Sequence, residues 1–391
     1  MSTRTLSVGF IPLVDAAPVI VARELGFAEE EGLDLRLQRA PSWSLLRDRL
    51  VHGESDAAHM LSPVPVATAL GIGGGAVRLD ALSVLSVNGN VIGVSTAVAN
   101  RLRDAGYVPD FQDATAAGQA LSALSGPLRV GVPFPFSMHA ELLDYWLSAF
   151  SGGGDAKVQI RTVPPPLMAD AIAADEIDAF CVGEPWGSKT VENGDGELLL
   201  PGAAIWQFAP EKVLAASSDW VTANPDLTAR LLRSVWKAAH WLSRKDKQST
   251  VSEILSWPEY LGVSVEMIER ALSGRIMYTP RGDARRVPQM LEFYGGAATF
   301  PWRSQAAWIA HRLAKRYGQD SQEAIRKASA VFRSDIYRDV LGPIGVDLPG
   351  ASEKIEGSLR VPTPVASDRG GLILSPDAFF DGAVFDPYKN F

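Results

Sequence analysis

Short apolar blocks alternate with longer segments of helical spacing over the first half of the chain. Thr5–Ile11 reads as a buried strand. The helix after it runs to Gly26, with Asp15 able to cap it and Pro18 tolerated in its first turn. Leu33–Leu37 alternates as a strand, Trp43–Val51 follows Ser42 as a helix, and Asp56–Met60 is a short strand. Pro63–Leu70 reads as a helix and Leu79–Ser86 as a strand that ends in the turn signal Asn88-Gly89-Asn90. This βαβαβ order predicts a parallel sheet with right-handed crossovers.

A second unit of the same kind follows. Val91–Ser95, Leu128–Val132, Val158–Val163 and Ile177–Val182 read as strands, with helices at Thr115–Leu124, Ser137–Phe150 and Leu167–Ala174 between them. Gly202–Gln207 and Val213–Ala216 look like returning strands. Beyond Pro225 the spacing is helical, at Leu227–Ser243, Thr250–Leu255, Ser264–Leu272, Gln289–Tyr294, Gln305–Ala314 and Gln322–Leu341. The tail, 361–391, is rich in Pro, Gly and Asp and is expected to wrap the surface. The pattern predicts an α/β protein of two lobes. Lobe I is 1–90 plus 210–391, including the helical C-terminal part and the tail, and lobe II is 91–209.

Composition narrows the chemistry. With 391 residues, 47% hydrophobic and 21% charged, the chain can bury a large core, and its net charge of −8 argues against direct nucleic-acid binding. Cys181 is the only cysteine and sits in an apolar strand, so no disulfide framework or cysteine metal cluster is expected. The five histidines are scattered, without an HExxH motif or zinc-ligand spacing. No paired carboxylates share a loop, and no nucleophile elbow or P-loop is present. GIGGGA at 71–76 is glycine-rich, but a helix precedes it rather than follows it, so it reads as a loop. The expectation is a binding protein with no catalytic residues, no cofactor and no metal. No apolar run is long enough to span a membrane. The sequence starts directly into a strand without a signal-peptide core, so a cytoplasmic location is expected, or a periplasmic one if a leader has been removed.

In open α/β sheets ligands sit beyond the carboxyl ends of the strands. There lie VDAAP, APSW, HMLSPVP, NGN, FPFSMH, VPPP and VGEPW. Ser137 can cap its helix, placing His139 in the first turn, where backbone N–H groups and the helix dipole favour an anion.

These loops resemble the nitrate- and bicarbonate-binding proteins of ABC transporters, a branch of the type II periplasmic-binding-protein fold. The resemblance is carried by GFIPLVDAAP, APSWSLLRD, AAHMLSPVP, LSVNGN, SMHAELLDYWL, VPPPLM, FCVGEPWG, APEKVLA and FFDGAVFDP, and so covers nearly the whole chain. It implies anion ligands at Trp43, Asn90, His139 and Lys212. Asn90 departs from the family's glutamine, keeping the amide on a stem one methylene shorter. Asp15, Pro165, Glu184 and Trp186 are secondary cleft candidates, though Asp15 and Glu184 also read as structural caps. Retention of His139 and Lys212 implies nitrate or nitrite rather than bicarbonate. Physically, Lys212 offers a charge at a cleft, His139 and Asn90 donors, and Trp43 an apolar face. A four-atom ligand at about 1.5 kcal/mol per heavy atom binds with about 6 kcal/mol, or roughly tens of micromolar. Within the resemblance, the absent leader implies a cytoplasmic nitrate/nitrite sensor of the NasS type. Its expected partner is an ANTAR-type, NasT-like RNA-binding antiterminator. The alternative is a solute-binding component of an ABC transporter.

Overall fold

A computed structural model describes residues 3–74, 77–150 and 158–389, so positions 75 and 76 of the glycine-rich loop and the last two residues of the tail lie outside it. Ten strands build its two main sheets, together with one short strand from the helical part. They are β1 (Arg4–Phe10), β2 (Leu33–Arg39), β3 (Ala57–Leu61), β4 (Leu79–Asn88), β5 (Asn90–Ser95), β6 (Leu128–Val132), β7 (Val158–Thr162), β8 (Ala179–Gly183), β9 (Gly196–Pro201) and β10 (Pro210–Ser217). The short strand is Leu291–Glu292.

The first sheet has the order β2-β1-β3-β10-β4 with Leu291–Glu292 at the far edge; the second runs β7-β6-β8-β5-β9. Neither is purely parallel. β1, β2 and β3 pair in parallel as the sequence predicts, but β10 inserts antiparallel between β3 and β4. In the second sheet β6 is parallel to β7 and β8, and β5 is antiparallel to β8 and β9. The parallel expectation fails because it treats the chain as one winding, whereas each sheet takes in a strand that arrives from the other.

The chain passes between the sheets twice. The first passage is Asn88–Asn90, where Asn88 and Gly89 have φ of 60° and 99°. Glycine adopts that left-handed region freely and asparagine tolerates it. The second passage runs from the short turn Gly202–Ala204, which stands where a strand is expected, to Pro210. The Asn88 side chain ties the two together: its Nδ2 donates to Gln207 O at 2.8 Å, and its Oδ1 accepts from Ala209 N at 3.2 Å. One apolar cluster is continuous across this junction, from Trp43 and Leu61 through Val87 and Val91 to Phe180 and Leu198.

Other differences are local. Gln289–Tyr294 is not helical; its centre pairs with β4 at Asn88 and Val87. Gln322–Leu341 is broken into Ser321–Ala328, a short turn at Ser329–Val331, and Ser334–Leu341. A helix at Thr96–Asp104, capped by Ser95, was not anticipated. The tail does more than wrap. Phe379 is buried against Trp206 and Trp308 with centroids 4.9 and 5.9 Å away, and Phe380 N donates to Ile205 O, so the tail clamps the second passage.

Candidate functional site

The turn after β1, the helix after β2, the end of β3 and the residue after β4 all lie along one edge of the first sheet. Because β10 runs antiparallel, its beginning lies at that same edge, with Lys212 opposite Leu61 on β3 and Ser86 on β4. The pairing of β10 with β4 shifts register between Pro210 and Lys212, leaving Glu211 as an extra residue in a bulge. The bulge removes the usual alternation, so two consecutive side chains reach one place: Lys212 Nζ lies 2.8 Å from Glu211 Oε1.

Around Lys212 the four expected ligands converge. Its Nζ stands 5.5 Å from the centre of the Trp43 ring, a cation–π geometry. Trp43 opens the helix Trp43–Val51, which Ser42 caps by accepting from Leu45 N. Asn90 Nδ2 donates to Glu211 Oε2 at 2.5 Å. His139 lies in the first turn of the helix Met138–Ser148, whose cap Ser137 accepts from Ala140 N; its Nδ1 is 3.4 Å from Glu211 Oε1, too poorly aligned for a hydrogen bond. Trp43 Nε1, Asn90 Oδ1 and both ring nitrogens of His139 have no hydrogen-bond partner among the described residues.

Asp15 belongs to the cluster and is not a helix cap. It lies inside a short 3-10 turn, Val14–Ala16, with no capping bond, and its Oδ2 is 2.8 Å from Lys212 Nζ. Its Oδ1 meets His59 Nε2 at 2.9 Å, and the His59 ring packs 5.6 Å from Trp43. Lys212 is therefore neither a solvated charge nor an uncompensated cation at a cleft mouth. It is fully buried between two carboxylates, and Asp15, His59, Asn90, His139 and Glu211 are each at most 2% exposed.

Glu184 and Trp186 hold the rim. Glu184 N donates to Gly89 O and its carbonyl accepts from Val14 N, both at 3.0 Å, while Trp186 Nε1 donates to Pro12 O at 2.7 Å. The Glu184 carboxylate turns away to accept from Ser188 N, and its other oxygen, Oε1, has no hydrogen-bond partner. Gly183, paired with Asn90, approaches closely: a Cβ there would stand 3.1 Å from Leu13 and 3.7 Å from Asp15 Oδ2. Pro165 is buried in the turn Pro165–Leu167, and no hydrogen bond joins it to the cluster.

Burial and charge oppose each other here. Burial pushes the Asp15 carboxyl up, but Lys212 and His59 outweigh it and hold it at about 2. Burial likewise depresses Lys212, but Asp15 and Glu211 more than restore its affinity for a proton. Glu211 ends above the usual carboxylate range because burial outweighs Lys212 and Asn90. Burial, reinforced by Lys212, pushes His139 well down; burial also lowers His59, with Asp15 opposing. Glu184 is raised to about 7 by burial. Among the described residues no group of three or more His, Cys, Asp or Glu is disposed to hold a metal ion.

Sequence reasoning missed Glu211 and His59. The sequence starts the returning strand only at Val213; the strand begins at Pro210, and even then period two would send Glu211 away from Lys212 but for the bulge. His59 was visible in the loop segment HMLSPVP, but nothing in its spacing marked it as a partner of Asp15.

A model of the NMT1-like family matches residues 1–256. The nitrate/nitrite binding protein NrtA of Synechococcus elongatus is 30% identical over 399 residues, covering 98% of this chain and 83% of that protein. The bicarbonate-binding protein CmpA of the same organism is 26% identical over 404 residues, covering 99% and 85%. The crystal structure of the periplasmic nitrate-binding protein NrtA from Synechocystis superposes with a TM-score of 0.83 at 27% identity, over 98% of this chain and 96% of that one. The fold is the two-lobed periplasmic-binding-protein architecture, and these homologues bind solutes rather than catalyse reactions. The chain belongs to the NMT1-like family and is a homologue of the nitrate- and bicarbonate-binding proteins NrtA and CmpA.

Proposed function

We propose that this protein binds nitrate or nitrite at the cluster of Trp43, Asn90, His139 and Lys212. The observation that carries the reading is the convergence, from four separate elements, of an ammonium, an indole and two side chains with unused polar atoms, all buried at the junction of the sheets. A flat, weakly basic monoanion suits such a place: the indole covers a face, and the His139 ring N–H and the second Nδ2–H of Asn90, whose first donates to Glu211, address its oxygens. The names of the relatives supply the ligand class.

Residues 1–90 with 210–391 form one lobe and 91–209 the other. The two passages, Asn88–Asn90 and 202–210, act as the hinge, and the anion is enclosed when the lobes close. Closure alters the outer surface, and an ANTAR-type RNA-binding antiterminator of the NasT kind reads that change, as in the cytoplasmic sensors the loop segments resemble. The second reading, in keeping with the periplasmic nitrate-binding protein that the chain resembles, is delivery of the anion to an ABC transporter.

Calorimetric titration with nitrate, nitrite and bicarbonate tests the ligand. Saturable heat with nitrate or nitrite in roughly the tens-of-micromolar range is expected; absence of heat with both sinks the reading. Co-elution with the antiterminator on a sizing column, with and without nitrate, tests the use. A complex that nitrate dissociates supports the sensor, and a complex indifferent to nitrate removes it.

A further inference from the structure

The arrangement around Lys212 holds more negative charge than a plain anion site should. Lys212 Nζ is 2.8 Å from both Asp15 Oδ2 and Glu211 Oε1. The Asp15 carboxylate already balances the ammonium, which leaves the carboxyl of Glu211 as a second acid at the same cation. A monoanion placed there would stand beside an ionised carboxylate in a volume from which water is excluded. Such like charges cost far more in a buried site than at a surface.

Glu211 is also reached from every neighbouring element. Asn90 donates to its Oε2, Lys212 faces its Oε1, and the His139 ring lies 3.4 Å from that same Oε1. Asp15 and, through it, His59 lie on the far side of Lys212, and Cys181 on β8 is close enough to sense its charge. Lys212 hydrogen-bonds to Oε1 as a cation, and His139, 3.4 Å from that oxygen with both ring nitrogens unpartnered, is the imidazole nearest to it.

Resting on the anion-binding reading, we propose that Glu211 decides which oxyanions the site accepts. Ionised, its carboxylate accepts the hydroxyl hydrogen of an anion that carries one, such as bicarbonate. Nitrate has no hydrogen to give and is too weak a base to keep one. Nitrate therefore enters together with a proton from solvent, which resides on the Glu211 carboxyl or the adjacent His139 ring. No bond within the anion forms or breaks, and the proton returns to solvent on release.

The test is calorimetric titration of the wild-type protein and of Glu211→Gln with sodium nitrate and sodium bicarbonate. It runs from mildly acidic to mildly alkaline pH, in two buffers that differ in ionisation enthalpy. On the alkaline side the wild type should take up about one proton per nitrate, with affinity falling toward tenfold per pH unit, and the uptake should fade in acid, where Glu211 already holds its proton. Bicarbonate should compete for the site without that uptake. Glu211→Gln, which keeps an acceptor for Asn90, should bind nitrate with a nearly flat pH profile. Nitrate binding by the wild type without proton uptake overturns the proposal, without needing the variant to fold. It is also overturned by a variant with the wild-type slope, or by bicarbonate that fails to compete at any pH or takes up the same proton. Absence of any nitrate or nitrite heat overturns the binding reading itself, and this proposal with it.

Discussion

Asn90 and Glu211 are joined by a 2.5 Å hydrogen bond across the two places where the chain passes between its sheets. Asn90 is the first residue of the strand that enters the second sheet, and Glu211 sits in the bulge of the strand that returns to the first. The group that orients the candidate ligand residues is therefore also a link across the junction.

The first consequence concerns Lys212. Lys212→Ala should abolish anion binding and should also destabilise the fold, by about 3–5 kcal/mol, because it leaves Asp15 and Glu211 buried without their cation. A charge at an open cleft could be removed without harm to the fold; one buried between two carboxylates cannot. Asp15→Asn combined with Lys212→Met should recover part of the loss. Guanidinium unfolding of the four proteins in that double-mutant cycle measures the coupling, and additive effects would place the pair outside the core.

Glu184 offers a pH test. Its carboxyl is buried and held at about 7 against an ordinary value of 4.5. Below the ordinary value both folded and unfolded chains keep the proton and nothing is lost. As pH rises toward 7 only the unfolded chain ionises, so stability falls, and it is level again above. At about 1.4 kcal/mol per pH unit this amounts to roughly 3.5 kcal/mol at most. Glu184→Gln should therefore match the wild type in acid and exceed it in alkaline solution. Urea unfolding at several pH values checks this, and a constant difference across pH would refute it.

Asn88 separates backbone from side chain. Asn88→Gly keeps the left-handed conformation but loses the bonds to Gln207, Gln289 and Ala209. Asn88→Ala loses both. We expect the alanine variant to be less stable than the glycine variant by about 1 kcal/mol, the cost of φ at 60° for a residue with Cβ. Equal unfolding midpoints would mean that the passage relaxes its conformation.

Acid stability should carry the mark of Asp15. Its depressed value of about 2 contributes stability that is present above the ordinary 3.8 and lost as pH falls toward 2. Asp15→Asn should flatten that limb, as read by circular dichroism during acid titration; an unchanged limb would assign it to other carboxylates.

Much of this was legible in the sequence because it depends on local pattern. Trp43 follows a capping serine, His139 follows another, and Asn90 ends a turn signal, so each could be placed at a strand's carboxyl end from periodicity alone. What stayed hidden depends on pairing between distant segments. The insertion of β10 between β3 and β4, the bulge that turns Glu211 toward Lys212, and the Asp15–His59 contact are all decided by partners far away in the chain. The short strand at Leu291–Glu292 is of the same kind: an isolated segment of that length has no period, and its state is set by the edge of β4. Of the two readings of Asp15, cap and cleft residue, the cap fails although an acid ahead of an apolar helix is ordinarily one. Only the buried ammonium of Lys212 gives it another use.

The most direct measurement is a high-resolution crystal structure of the protein soaked or grown with nitrate. The account predicts one planar anion against the Trp43 ring, within hydrogen-bonding distance of Lys212 Nζ, the Asn90 amide and a ring nitrogen of His139. A nitrate bound elsewhere, with these four side chains unchanged around Lys212, would contradict it.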